Sequence, residues 1–168
     1  MLFRSFIVQP ANIDESRHPH EAPRTYVQRI ARQKAEAISS PLPVLAADTI
    51  VFFGSTVFGK PADPAEARQM LRALSGRSHQ VCTSVCLRLS DRVIQKTIRS
   101  EVVFRVLSEA DISRYLSTGE AFDKAGSYGI QGEGMGLVER VRGSYTNVVG
   151  LPLSETLDLL SKIGRAHV

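Results

Sequence analysis

No stretch of this 168-residue chain approaches the run of about 18–20 apolar residues needed to span a membrane. Nothing near its start resembles a signal peptide, so the expected location is cytoplasmic. Cysteine is scarce: Cys82 and Cys86 stand alone, in the alternating, β-branched stretch SHQVCTSVCLRL. Four residues along a strand set them about 13 Å apart, too far for a disulfide or a shared metal. Two buried free thiols are therefore expected. The four histidines, His18, His20, His79 and His167, form no zinc-ligand pattern with them. A Walker glycine-lysine-serine/threonine loop is missing, and so is a properly placed G-x-G-x-x-G. The net charge is a mild +4 with scattered basic residues, which admits anionic ligands without requiring nucleic acid.

What is present is enough for one domain with a real core: 43% of residues are hydrophobic. The two ends read as foreign. Leu2-Phe3-Arg4-Ser5 and Ile163–Val168 are what a common short-read sequencing adapter encodes, in opposite senses. Residues 1–5 and 163–168 are expected to be non-native tags, leaving 6–162 as the domain. Without Arg4 and Arg165 the charge of +4 falls by two, to +2.

Helical and strand periods alternate along the chain. Tyr26, Val27, Ile30, Ala31, Lys34, Ala35 and Ile38 share one face of a helix over residues 22–39. The run PLPVLAADTIVFFG reads as a strand buried on both faces, with Gly54-Ser55 as a hairpin turn returning through Thr56–Phe58. Asp63 as N-cap and Pro64 at the first helical position open a helix that Ser75-Gly76 ends. Long strands over 78–89 and 93–106, joined at Ser90-Asp91-Arg92, precede a helix started by Ser108 and Asp111. Residues 120–136 are irregular, 137–141 form a short strand, and 152–160 a closing helix. The fold class is α/β, a single domain with a mixed, strongly twisted sheet.

Asp48 lies inside the apolar strand, where an unpaired carboxylate costs several kcal/mol; it must neutralise, pair or bind a cation. Lys60 follows twelve residues later in Gly59-Lys60-Pro61, where glycine allows close approach and proline stiffens the exit. As a loop lysine it could equally be solvated. Lys34 sits at the edge of its helix's apolar stripe, where a lysine ordinarily extends to water. Asp14 and Glu15 precede that helix, a place where acids often cap. GEAFDKAGSYGIQGEGMG carries six glycines in eighteen residues, interleaved with Asp123, Lys124, Tyr128 and Gln131. It is either a permissive connection or a functional wall. Asn147 in GSYTNVVGLPL could cap a turn or contact a ligand. Together these residues supply acids for a divalent cation and lysines for phosphate charge. That set suits attack of water on a phosphoanhydride.

The order of motifs resembles the Maf family of nucleoside triphosphate pyrophosphatases. The matching stretches are NIDES, YVQRIARQKAEA, AADTIV, GKPAD, MLRALSGRSHQV, VVFRVLSEADISRYLSTGEAFDKAGSYGIQG and GSYTNVVGLPLSET, in order from Asn12 to Leu160. The resemblance implies a cleft between two lobes and cleavage between the α and β phosphates with a divalent metal, Mg²⁺ or Mn²⁺. It implies Asp48 as the proton acceptor that activates water, Glu15 with Asp48 at the metal, and Lys34 and Lys60 on phosphate. Thr49 and Gln131 match positions associated with base selection. ADT with DKAGSYGIQG looks like the branch acting on dTTP and UTP; the 7-methyl-GTP branch has a serine-aspartate-glutamine type motif instead. Family members begin with a strand and a serine-x-x-arginine anion loop. Here NIDES arrives within fifteen residues, so the polypeptide as written is expected to hydrolyse dTTP poorly or not at all.

Two other readings are a septum-linked regulatory or nucleic-acid-binding protein without hydrolysis, and a purine-directed triphosphate pyrophosphatase. The +2 charge and the lack of an arginine-rich or aromatic stacking motif speak against nucleic acid. The expected partner is the nucleotide substrate, with a homodimer compatible and no membrane.

Overall fold

Proline at its first position opens helix α1 (Pro23–Ala37), and the apolar spacing buries Val27, Ile30, Ala31 and Ala35 completely. Its last turn is closed from outside, as Arg88 donates to the carbonyls of Ala35 and Ile38. The computed structural model describes residues 6–90 and 92–163. Asp91 and the proposed tags, except Ile163, lie outside the described residues. Strand β1 (Val44–Phe53) turns through Gly54, at φ 60°, into β2 (Thr56–Phe58). Asp63 caps helix α2 (Pro64–Leu74) by accepting the Glu66 N–H at 2.7 Å. Strands β3 (Ser78–Leu89) and β4 (Arg92–Phe104) follow, then α3 (Glu109–Ser117), where Ser108 and Asp111 form a reciprocal capping box. After two short 3₁₀ segments come β5 (Val138–Arg142), α4 (Tyr145–Val149) and α5 (Leu153–Leu160).

The sheet runs in the order β2-β1-β3-β4-β5, and every neighbouring pair is antiparallel. The α/β single-domain class holds, but the sheet is not the mixed one expected. The reason lies in the connections. Hairpins join β1 to β2 and β3 to β4. The α2 crossover does return the chain parallel to β2, yet it delivers β3 to the far side of β1. The two parallel strands are therefore never neighbours.

Strand alternation divides β1 between two environments. Ala46, Ile50 and Phe52 face α1, packing with Val27, Ala31, Ala35, Cys82 and Cys86. Val51 faces the larger core with Leu71, Leu74, Phe104, Ile112, Tyr115 and Tyr128, while Ala47 meets Leu159 of α5. Both cysteines are free and buried, as their strand spacing required. The strand is less enclosed than its apolar composition implied, because only Ile50 and Val51 are fully buried. On its β2 side, pairing covers Val51–Phe53 alone, so among the described residues Asp48 stands on an open flank of the sheet.

Candidate active site

Asp48 points to the α1 face, and α1 meets it with Lys34. Tyr26, Ile30 and Lys34 follow one another at i, i+4 spacing, so the helix that buries Ile30 also delivers the ammonium to the strand. Lys34 Nζ lies 2.8 Å from Asp48 Oδ1 and 3.0 Å from Glu15 Oε1, bridging the two carboxylates. Lys34 thus does not extend to water: its side chain is 20% exposed, that of Asp48 11%, and that of Glu15 50%. The Glu15 backbone is held from the same helix face, since Tyr26 Oη donates to its carbonyl at 2.7 Å. Asp14 takes the local role acids often take before a helix, accepting from the Ser16 N–H and hydroxyl.

Burial pushes the Asp48 carboxyl above its ordinary 3.8, opposed by the Lys34 ammonium and, more weakly, by the charge of Lys60; Glu15 adds to the rise. Burial disfavours the Lys34 ammonium, but Asp48 and Glu15 outweigh it and its pKa rises above 10.5. A raised carboxylate held by a lysine, at an open strand flank, has the character of a proton acceptor. The donor set is two carboxylates, hard oxygens that suit Mg²⁺ or Mn²⁺. No group of three or more His, Cys, Asp or Glu converges among the described residues, so such a cation fits only with further oxygens from a ligand.

Lys60 is exposed in the loop between β2 and α2, and its charge acts on both Asp48 and Asp123. The glycine-rich segment is tied to that loop: the Gly126 N–H donates to Gly59 O at 3.0 Å. Gly126 has φ 72°, and a Cβ there would sit 2.9 Å from Val51 Cγ1. Lys124 pairs with Asp123 at 2.8 Å. Gln131 is exposed at the start of the 3₁₀ segment Gly132–Leu137.

Among the described residues no hydrogen bond or ion pair joins Gln131 to Asp48, and Thr49 is turned away from it. Being next in the strand it faces the other side of the sheet, where its hydroxyl lies 2.9 Å from that of Thr83. Behind Thr83 stands Asn147, fully buried. Its Oδ1 accepts the Thr83 N–H, and its Nδ2 donates to Val81 O and Ser100 Oγ. Asn147 therefore locks α4 onto β3 and β4. The polar pair His79–Tyr128 in the main core had no local sequence signal beyond strand alternation at His79. His79 Nε2 lies 2.7 Å from Tyr128 Oη, and Phe104 packs edge-on against both rings. His79 is 1% exposed and its Nδ1 has no partner among the described residues, a burden of about 1–3 kcal/mol. Burial lowers its pKa to about 4. Two open hollows, of about 530 Å³ beside Ile38 and Arg88 and about 630 Å³ beside His18 and Gly54, lie away from Asp48.

Fold and site define an α/β domain with a carboxylate–lysine centre suited to phosphate chemistry. The chain belongs to the Maf-like protein family, whose sequence pattern matches residues 1–163. It is 51% identical over 161 residues to a protein of Anaeromyxobacter dehalogenans named dTTP/UTP pyrophosphatase, covering 94% of this chain and 82% of that one. A protein of the same name from Chromobacterium violaceum is 51% identical over 162 residues, 92% and 82% of the two chains. One from Escherichia coli O157:H7 is 49% identical over 153 residues, 89% and 78%. No helix among the described residues is long and apolar enough to cross a membrane.

Proposed function

We propose that this protein is a cytoplasmic nucleoside triphosphate pyrophosphatase acting on dTTP, UTP and modified pyrimidine nucleotides. The observation that carries the reading is the Asp48 carboxylate, raised by burial and gripped by Lys34 on an open strand flank. The names of relatives at about half identity agree with it. Asp48 takes a proton from the attacking water as oxygen bonds to phosphorus; the α–β anhydride bond breaks, leaving a monophosphate and pyrophosphate. Lys34 holds Asp48 in position and, with Lys60, neutralises charge that grows on the phosphates. Glu15 and Asp48, with the substrate's own oxygens, would hold Mg²⁺ or Mn²⁺, which when bound would supply further charge neutralisation. Gln131 reads the base from the glycine-rich wall. Thr49 is assigned to base selection by the family motif alone, and it stands on the opposite face of β1 with its hydroxyl against that of Thr83.

The test is a hydrolysis panel of dTTP, UTP, CTP, ITP, GTP and 7-methyl-GTP with Mg²⁺ or Mn²⁺. It is run on this chain and on a version extended by a strand and a serine-x-x-arginine loop. Preference for dTTP and UTP is expected. Preference for ITP would move the assignment to the purine-directed class. Absence of hydrolysis by both, with a salt-sensitive gel shift on nucleic acid, would replace it by the regulatory reading.

A further inference from the structure

His79 and Tyr128 stand in the core, away from Asp48, yet a continuous set of bonds joins them to Lys60. Tyr128 follows Gly126 and Ser127, whose φ angles are 72° and 61°. Ser127 is fully buried and is not glycine, so its left-handed backbone persists only where the surroundings over-determine it. Three ties do so. Ser127 Oγ donates to Met70 Sδ at 3.1 Å, Tyr128 Oη bonds His79 Nε2 at 2.7 Å, and the Gly129 N–H donates to Tyr115 Oη at 3.1 Å. At the other end of the bend, the Gly126 N–H donates to Gly59 O. That carbonyl belongs to the peptide plane whose nitrogen is Lys60's own, so fixing the oxygen fixes where the Lys60 side chain starts.

We propose that His79 and Tyr128 are positioning residues: their hydrogen bond sets the Gly126–Tyr128 bend, and the bend sets Lys60 for the triphosphate. The inference rests on the reading of Lys60 as a phosphate-binding residue. Histidine is a poor choice here for packing alone. A phenylalanine of similar shape would meet Phe104 equally well and leave no ring nitrogen bare. The directional bond does what packing does not, since it fixes Tyr128 along its own ring axis as well as across it.

The experiment is a double-mutant cycle on binding. His79→Phe/Tyr128→Phe removes both polar groups together and keeps the shapes, so the melting temperature is expected to stay level or rise. Affinity for the α,β-imido analogue of dTTP with Mg²⁺, measured by calorimetry, is expected to weaken about fivefold. In a Lys60→Gln background the same pair should change affinity by less than about twofold. A purely structural role gives the same loss in both backgrounds, and that result, or no loss in either, would overturn the proposal. Tyr128→Phe alone gives the same readout should the double variant fold poorly. If Lys60→Gln leaves affinity untouched while the parent binds, Lys60 is not the target and the inference falls. If the parent chain and its loop-extended version both fail to bind the analogue, the pyrophosphatase reading falls first and carries this one with it.

Discussion

Replacing Asp48 by asparagine separates chemistry from stability at this site. The amide keeps the size of the carboxyl and an oxygen facing Lys34 Nζ, now at 2.8 Å, while Lys34 retains Glu15 at 3.0 Å. Loss of a general base costs about 10²–10⁴ in rate, or about 2.7–5.5 kcal/mol of barrier at 1.36 kcal/mol per decade. The effect on folding is small because two contributions oppose. Asp48 is raised by burial, so its charged form is disfavoured by the fold, and neutralising it brings relief. Lys34 is raised by its two acids, so losing one of them takes stabilisation away. The difference is about 1 kcal/mol of either sign, a shift of about 2–4 °C in melting temperature for a chain of this length. The sign with pH is fixed. A carboxyl with a raised pKa stabilises the fold below its ordinary 3.8, and that contribution is lost as pH rises through the raised value. Asp48→Asn should therefore gain stability relative to the parent between about pH 3.5 and pH 7. Pyrophosphate release gives the rate, and calorimetry at both pH values the stability. Turnover within tenfold of the parent, or a melting temperature lower by more than about 10 °C, would refute the reasoning.

Lys34→Gln removes the main group that lowers the Asp48 pKa and leaves Glu15 beside it, so the acid limb of the pH–rate profile moves to higher pH; an unmoved limb contradicts the contact. The His79 ring should stay neutral down to pH about 4, with flat imidazole shifts between pH 8 and 5 by NMR. Its lowered pKa stabilises the fold above 6.5 and is lost as pH falls towards 4, so a midpoint near 6.5 would disprove the burial argument. Asn147→Ala leaves the Thr83 N–H, Val81 carbonyl and Ser100 hydroxyl short of a partner, at about 2–4 kcal/mol. Thermal unfolding should drop by about 4–16 °C; a change under 2 °C would show the frame to be dispensable.

Local chemistry made much of the fold legible. Asp63-Pro64 and Ser108-x-x-Asp111 marked helix starts that the chain uses, and Gly54-Ser55 marked its hairpin. The α1 stripe even carried Lys34 on the correct face. Its meeting with Asp48 could not be read, since it depends on which strand α1 packs against. Sheet direction failed for a related reason: the crossover through α2 shows no sign in sequence of the side of β1 it returns to. The opposite placement of Thr49 was legible, because adjacent strand residues always face apart. Asn147 and the His79–Tyr128 pair are long-range bonds, spanning 47 or more residues, with no local pattern to betray them.

The most direct measurement is ³¹P NMR of dTTP with Mg²⁺, run in ¹⁸O-labelled water on this chain and its loop-extended version. The Asp48 site is expected to yield dTMP and pyrophosphate in equal amounts, with one ¹⁸O incorporated per cleavage, and an Asp48→Asn control is expected to cleave at least about a hundredfold more slowly. Release of dTDP and inorganic phosphate, or cleavage undiminished in the control, would contradict attack at the α–β anhydride driven by Asp48.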